Sequence, residues 1–464
     1  MKMDYKDKNM LVFGAGISGV GAAALLLDKG AYVTLYDGNA GLDAAGAKKK
    51  IEERCASAEN LDIVFGEFPD ALYGKTDIAV LSPGIPTDLE VVNKLRDMGK
   101  IITGEVELAY TVGKGVVYAV TGTNGKTTTT TLLGELMKAA HKNVDVVGNI
   151  GNPYTEAAEH QQDDTVTVAE ISSFQLETIR TFHPHAAVIT NITEDHLNRH
   201  HTMENYINTK KNIALNMTKD DLLVLNYEDE ILRAFGHETA ANVCYFSSAG
   251  KPDAENASMC LYLDGEDIIV ECSEGKNVLI NTSELQLVGL HNFENVMCAA
   301  AVALFDGMDP EAIRTVLKGF AGVEHRIEFV GEFDGVRYYN DSKGTNPAAA
   351  IKGINAMKWP TLLIAGGYDK QSSYEEWINC FDGKVKYLVL IGQTKEKIAA
   401  AAESCGLEKD RIILCEDLKE AVDFCRKNAV SGDAVLLSPA CASWGQFDNY
   451  EQRGDIFKEY VRSR

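Results

Sequence analysis

The string Gly122-Thr123-Asn124-Gly125-Lys126-Thr127 sets two glycines, a lysine and a threonine in the order that a phosphate group requires. Glycines let backbone N–H groups close on an anion, the lysine neutralises terminal phosphates, and the threonine hydroxyl can ligate Mg²⁺. An apolar run over 115–121 precedes the string and a helix-like stretch over 128–140 follows it. That strand–loop–helix setting turns a glycine turn into a phosphate cradle, with Thr128 next to it on the helix. Val120 stands where a general phosphate loop has another glycine, so the loop reads as a shortened variant.

Glu170, His196 and Lys210 follow, each close to the end of an apolar strand or early in the next helix. Glu170 opens EISSFQLE, and a carboxylate at a strand tip suits a hard cation beside phosphates. His196, in NITEDHLNRH, offers a neutral nitrogen ligand or a hydrogen bond to phosphate. Lys210 fits less well, because an ammonium beside a divalent cation is repelled unless its charge changes. A lysine carrying CO₂ as a carbamate would present a carboxylate instead; spacing alone reads Lys210 as a surface residue.

Two more strings carry polar chemistry. Gly14-Ala15-Gly16-Ile17-Ser18-Gly19 has the GxGxxG form after a strand, and Asp37 ends the next strand. This geometry serves a dinucleotide or any nucleoside diphosphate, UDP included, and it also occurs as a tight turn with no ligand. Asn340-Asp341-Ser342-Lys343-Gly344-Thr345-Asn346 follows another strand. Its composition leaves open a site for adenosine and a carboxylate, or a plain Asx-rich turn.

The elements that position these strings read as α/β throughout. Apolar runs over 10–14, 31–36, 62–65 and 77–81 alternate with helical stretches over 20–28 and 89–97, which predicts a parallel sheet with helical cover. A second start lies at 115–121, with further strands over 165–169 and 186–190 that stop at polar residues. A third follows residue 320, with strands over 336–339, 361–365, 387–391 and 434–437. Three modules are expected, at 1–104, 105–322 and 323–464.

Composition bounds the partners. A chain of 464 residues exceeds one hydrophobic core, and its formal net charge of −23 opposes docking to nucleic acid or anionic lipid through a general basic field. The 10 cysteines show no CxxC pair and read as reduced thiols of a cytosolic protein. No signal peptide and no apolar run of about 18 residues is found, so no membrane insertion is expected.

Taken together, GAGISG, TGTNGKT, EISSFQLE, TEDHLNRH, HNFEN, EHRIEF and NDSKGTN resemble the Mur ligase superfamily over nearly the whole chain. SPACASW at 438–444 and YEQRG at 450–454 resemble its D-glutamate-adding branch. The resemblance implies a Rossmann-like N-terminal UDP-binding domain, a central ATPase-like phosphate-loop domain and a Rossmann-like C-terminal domain. It implies a cytoplasmic, monomeric ligase of peptidoglycan synthesis that takes UDP-N-acetylmuramoyl-L-alanine, D-glutamate and ATP with two Mg²⁺ ions. By motif, Ile17, Ser18, Asp37, Ser82, Pro83 and Gly84 would line the uridine diphosphate pocket, with Asn149 and Gln175 nearer the muramoyl part. Lys126 and Thr127 would hold ATP phosphates, Glu170 with Thr127 one Mg²⁺, and His196 with carbamylated Lys210 the second. Asn292, Asn295, Arg326 and Asp341 would grip adenine and ribose, while Lys343, Thr345, Lys370, Ser443 and Tyr450 would receive D-glutamate. The chain departs from the pattern at Gly445, where an acidic residue is expected, and at Gly38-Asn39, where a bulkier or basic residue can stand.

Three rivals remain at this point. A nicotinamide-dependent oxidoreductase explains GxGxxG and Asp37 but leaves TGTNGKT and EISSFQLE without a role. A non-catalytic nucleotide-binding regulator does not account for Glu170, His196, Lys210 and NDSKGTN together. A ligase for a different amino acid would carry other strings in the third module.

Overall fold

Short apolar runs bounded by glycine and polar residues become buried parallel strands, and the amphipathic stretches between them become the covering helices. The computed structural model describes residues 3–463. Its first sheet holds β1 (Asn9–Phe13), β2 (Tyr32–Asp37), β3 (Leu61–Phe65), β4 (Ile78–Leu81) and β5 (Ile101–Gly104) in the order β3-β2-β1-β4-β5. Every pairing in it is parallel, as expected for the first hundred residues. The helix after β1 is Ile17–Asp28, three residues longer at its start than the apolar pattern predicts, because Ile17-Ser18-Gly19 already turn helically.

The second sheet runs β6 (Val116–Thr121), β7 (Val144–Gly148), β8 (Val166–Glu170), β9 (Ala186–Ile189), β10 (Leu222–Asn226), β11 (Asn242–Ser247), β12 (Ala257–Asp264), β13 (Asp267–Cys272) and β14 (Gly275–Asn281). Its order is β14-β13-β12-β11-β10-β9-β6-β8-β7. Strand β6 lies between β8 and β9, both parallel to it. The chain reverses its direction of winding there, which opens a crevice at the C-terminal ends of the strands. The β12–β13 ladder is antiparallel, and the strands beyond β9 in this sheet were not legible as a group in the sequence.

The third sheet holds β15 (Glu328–Phe333), β16 (Val336–Asn340), β17 (Thr361–Gly366), β18 (Val385–Ile391), β19 (Ile412–Leu414) and β20 (Ala434–Leu437) in the order β15-β16-β20-β17-β18-β19. Only β15 and β16 pair antiparallel, so the loops after β16, β17 and β20 leave the same edge. Contacts divide the chain into two compact units. One runs to Ile280 and includes Glu294–Val316; the other holds Asn281–Phe293 and the chain from Leu317 onward. Among the described residues no helix is long and apolar enough to cross a membrane.

Within the first unit, the helix Glu105–Val112 is fastened by two buried carboxylates. Glu105 accepts from the Thr155 N–H at 3.1 Å, and Glu107 from the N–H groups of Arg180, Thr181 and Phe182 at 2.8–3.0 Å. A third buried carboxylate, Asp221, accepts from His183 and His185 at 2.6 and 2.9 Å and from the Thr218 N–H at 2.7 Å. Burial alone pushes its pKa up, but the hydrogen bonds outweigh burial and hold it at about 2. A depressed folded-state pKa contributes stability that is complete above the unfolded value near about 4 and is lost as the pH falls towards the folded one. Urea midpoints measured from pH 5 to pH 2 are expected to fall less steeply for Asp221→Asn than for the parent; parallel curves would contradict this.

Candidate functional site

The phosphate loop leaves β6 in the crevice, and its helix, Lys126–Ala140, begins at the lysine. Val120, fully buried, belongs to β6 and pairs with Glu170, which explains the missing glycine: the loop begins two residues later, at Gly122. Gly122 (φ +139°) and Gly125 (φ +86°) lie in the conformation that favours glycine, and a Cβ on either would strike Thr190 or Asn295 respectively. The loop is held from the β9 side. Thr190 Oγ1 donates to the Asn124 carbonyl at 2.5 Å, and Asn191 Oδ1 accepts the Asn124 N–H at 2.9 Å. Lys126 Nζ donates back to the carbonyls of Gly122 and Thr123, both at 2.9 Å. Thr127 is partly exposed and Thr128 is buried.

Glu170 ends β8 beside the loop and is 1% exposed. Its Oε1 accepts from Asn149 Nδ2 at 2.7 Å, while its buried Oε2 has no hydrogen-bond partner among the described residues. A buried carboxylate oxygen left in that state fits a hard cation. Among the described residues no three His, Cys, Asp or Glu side chains gather into a metal site, so a cation here would need ligand oxygens from a bound phosphate as well.

Lys210, read from spacing as a surface residue, is 1% exposed. Its Nζ donates to the Gly122 carbonyl at 2.7 Å, the carbonyl that Lys126 also uses, and lies 4.9 Å from the Tyr206 ring centroid. Burial, with the charge of Lys126, lowers its pKa to about 7. His196 is half-exposed, sits in the left-handed region at φ +54°, and packs 4.9 Å from the Phe174 ring.

A second concavity in the same unit is lined by Ser82, Pro83, Ile85, Glu105, Phe174, Gln175 and Arg199. Ser82 Oγ is buried without a hydrogen-bond partner among the described residues, beside Gly14 and Gly19. Ile17 is 70% exposed, Gly16 has open space above it, and Gly84 and Asn149 are exposed. Both oxygens of Asp37 already accept backbone N–H groups, from Ala15 and Asn39 at 3.0 Å each, so this carboxylate shapes the glycine turn as well as facing it. Gln175 closes a capping box with Ser172 and donates to Glu105 at 3.4 Å. Arg199, Glu105 and Glu177 were missed in the sequence, where a charged residue gives no sign that folding will bury it.

Of the HNFEN asparagines, Asn295 accepts from Thr129 Oγ1 at 3.2 Å and lies against Gly125, and Asn292 donates to the Val288 carbonyl at 2.8 Å. In the second unit the three loops at the edge of the third sheet converge. Asp341 is buried and accepts from Ser438 Oγ at 2.7 Å; burial raises its pKa to about 7 against the opposing pull of that bond and of Arg326. Lys343 Nζ lies 5.5 Å from the Tyr450 ring and Lys370 Nζ 5.1 Å from the Trp444 ring. Thr345 turns back on the Lys343 carbonyl, and Ser443 is buried. Gly445, the departure noted above, has φ +88°, where a side chain would be strained whatever its charge. His325, Ile327 and Ala440 are held at φ +63°, +48° and +55°, a conformation that costs of the order of 1–3 kcal/mol each outside glycine.

Arg453 of YEQRG holds these loops together. It is fully buried, and it donates to Ser342 Oγ at 2.9 Å, to the Ser342 carbonyl at 2.8 Å and to the Cys441 carbonyl at 3.2 Å. The motif is thus partly a scaffold, which its composition did not reveal.

A phosphate loop at the switch point of a parallel sheet marks the class: a phosphate-loop nucleotide-binding α/β protein. Residues 120–303 match the Mur ligase middle domain and residues 325–441 the Mur ligase, glutamate ligase domain. The chain is 50% identical over 461 residues, 99% of each chain, to the UDP-N-acetylmuramoylalanine--D-glutamate ligase of Lachnoclostridium phytofermentans. It is also 50% identical over 463 residues to that of Lachnospira eligens, covering 99% of this chain and 100% of the relative. The crystal structure of a UDP-N-acetylmuramate-alanine ligase from Thermotoga maritima shares the fold at 18% identity and TM-score 0.56, over 98% of this chain and 99% of that one. The chain belongs to the Mur ligase family.

Removing the Arg453 fork would leave buried carbonyls without donors. Arg453→Met is expected to destabilise the second unit by about 3 kcal/mol in urea unfolding; a loss below about 1 kcal/mol would contradict the scaffold role.

Proposed function

We propose that the chain is an ATP-dependent amide ligase that joins D-glutamate to UDP-N-acetylmuramoyl-L-alanine in peptidoglycan precursor synthesis. The observation that carries the reading is the 50% identity to D-glutamate ligases over 461 residues, which spans all three sheets and every motif. We assign three functional domains, 1–104 for the UDP-sugar, 105–322 for ATP and 323–464 for the amino acid, in a cytoplasmic monomer.

Gly122 to Thr128 would hold the ATP phosphates, with Asn292, Asn295, Arg326 and Asp341 on the adenine and ribose side. Ile17, Ser18, Asp37, Ser82, Pro83 and Gly84 would bind the uridine diphosphate, with Asn149 and Gln175 towards the muramoyl group. Lys343, Thr345, Lys370, Ser443 and Tyr450 would receive D-glutamate. Thr127 and Glu170 would hold one Mg²⁺ and His196 with Lys210 a second. Bound there, the ions screen phosphate charge and stabilise the transferring group. The buried amine of Lys210 supports its reading as a carbamate, since the modification replaces a repelled cation by a carboxylate.

The chemistry follows from the weakness of a carboxylate as an electrophile. The L-alanyl carboxylate attacks the γ-phosphorus of ATP and becomes an acyl phosphate, releasing ADP. The amine of D-glutamate then adds to the acyl carbon, and the tetrahedral intermediate expels phosphate. Lys126, whose ammonium donates to the Gly122 and Thr123 carbonyls of the loop, would offset the repulsion between the two anions at the terminal phosphates.

Phosphate release is expected only when UDP-N-acetylmuramoyl-L-alanine, ATP and D-glutamate are all present, with L-glutamate, L-lysine and meso-diaminopimelate inactive. Lys126→Ala is expected to abolish turnover. Release that is equal with another amino acid would overturn the assignment. In CO₂-depleted buffer, activity is expected to fall and to recover with bicarbonate; indifference to bicarbonate would remove the carbamate.

A further inference from the structure

The segment 196–201 carries His196 and is bounded by two residues in the left-handed region, His196 at φ +54° and His201 at φ +66°. Non-glycine residues stay there only when their surroundings fix them, at a cost of the order of 1–3 kcal/mol each. Buried His200, which meets Ser173 Oγ at 2.9 Å, fixes part of this segment, and Arg199 ties it to a second loop. Its Nε and one terminal nitrogen donate to the two Glu177 carboxylate oxygens at 3.1 and 2.7 Å, in the paired geometry that suits a guanidinium. The same terminal nitrogen donates to the carbonyl of Ile85 at 2.8 Å. The guanidinium carbon lies 5.2 Å from the Phe174 ring, and that ring packs against His196.

Ile85 belongs to the loop after β4, the loop of Ser82 and Pro83, and Arg199 lines the same concavity as those residues. Glu177 and Phe174 belong to EISSFQLE, which begins at Glu170. Close by, His201 Nε2 meets Asp88 Oδ2 at 3.1 Å, a second tie between the same two loops. Arg199 therefore joins the wall of one pocket to the segments that carry His196 and Glu170. A lysine could keep one charge pair but not the fork to Glu177 and Ile85 together.

We propose that Arg199 is a positioning residue of the ligase reaction, a clamp that sets His196 and its segment in register with the loop Ser82–Ile85 of the UDP-sugar pocket. The proposal rests on the substrate assignment given above. Its prediction is a split in the kinetic constants. Arg199→Met is expected to lower kcat about 100-fold and raise KM for the UDP-substrate about 10-fold, with KM for ATP within about twofold of the parent. Arg199→Lys is expected to recover part of kcat, with a melting temperature close to the parent's.

The assay is run on the full chain with UDP-N-acetylmuramoyl-L-alanine, ATP and D-glutamate, beside thermal unfolding of each variant. Parent-like kcat in Arg199→Lys and Arg199→Met would overturn the clamp alone. So would an equal rise in both KM values with kcat unchanged, which is the mark of weakened binding only. If Arg199→Met does not fold, Arg199→Lys decides: parent-like constants overturn the clamp and the split supports it. A parent that turns over with none of these substrates would overturn the assignment first, and this proposal with it.

Discussion

A carboxylate buried at the tip of a strand, one oxygen held by Asn149 and the other without a hydrogen-bond partner among the described residues, is a costly group unless a cation comes to it. Glu170 is that group, and the rest of the first unit can be understood from its needs. Val120 beside it in register brings β6, and so the phosphate loop, to the same end of the sheet. The chain as a whole carries a net charge of −23, so a triphosphate cannot be drawn in by a general field and must be met by local devices. Those devices are loop N–H groups, the Lys126 ammonium and a carboxylate ready for a cation.

Both units keep strained or charged backbone features where loops must stand still. In the first, His196 and His201 bracket a segment tied down by Arg199, and Gly122 and Gly125 allow a loop that any Cβ would block. In the second, Ile327 and Ala440 occupy a conformation unfavourable for L side chains, beside a guanidinium buried among carbonyls. Arg453 and Arg199 do similar work in different units: each forks its donors across loops from separate strands. Loop positions in both units are thereby set by residues that lie away from the loop tips.

Much of this was legible in the residues. Four of the first sheet's five strands followed from apolar runs of four to six residues between glycine and polar turns, each within one position at either end, while β5 was not read. The phosphate loop was legible because its glycines, lysine and threonine are constrained by local backbone geometry. What failed was anything settled by long-range burial. Lys210 looked like a surface lysine until the helix Met203–Lys211 packed it under the loop carbonyl of Gly122. Gln175 and Asp37, read as substrate contacts, also serve the local fold: one closes a capping box and the other accepts two loop N–H groups. The strands β10 to β14 escaped notice because none leads into a motif, although β10 and β11 are apolar and almost wholly buried.

The proposed reaction turns on oxygen transfer from a carboxylate to the terminal phosphorus of ATP. Substrate whose L-alanyl carboxylate is labelled with ¹⁸O puts this to a direct measurement by mass spectrometry of the released phosphate. The account predicts one labelled oxygen in each phosphate formed, carried over when the acyl phosphate collapses. Phosphate free of label, with one labelled oxygen kept in the new amide and the other lost to water, would contradict it.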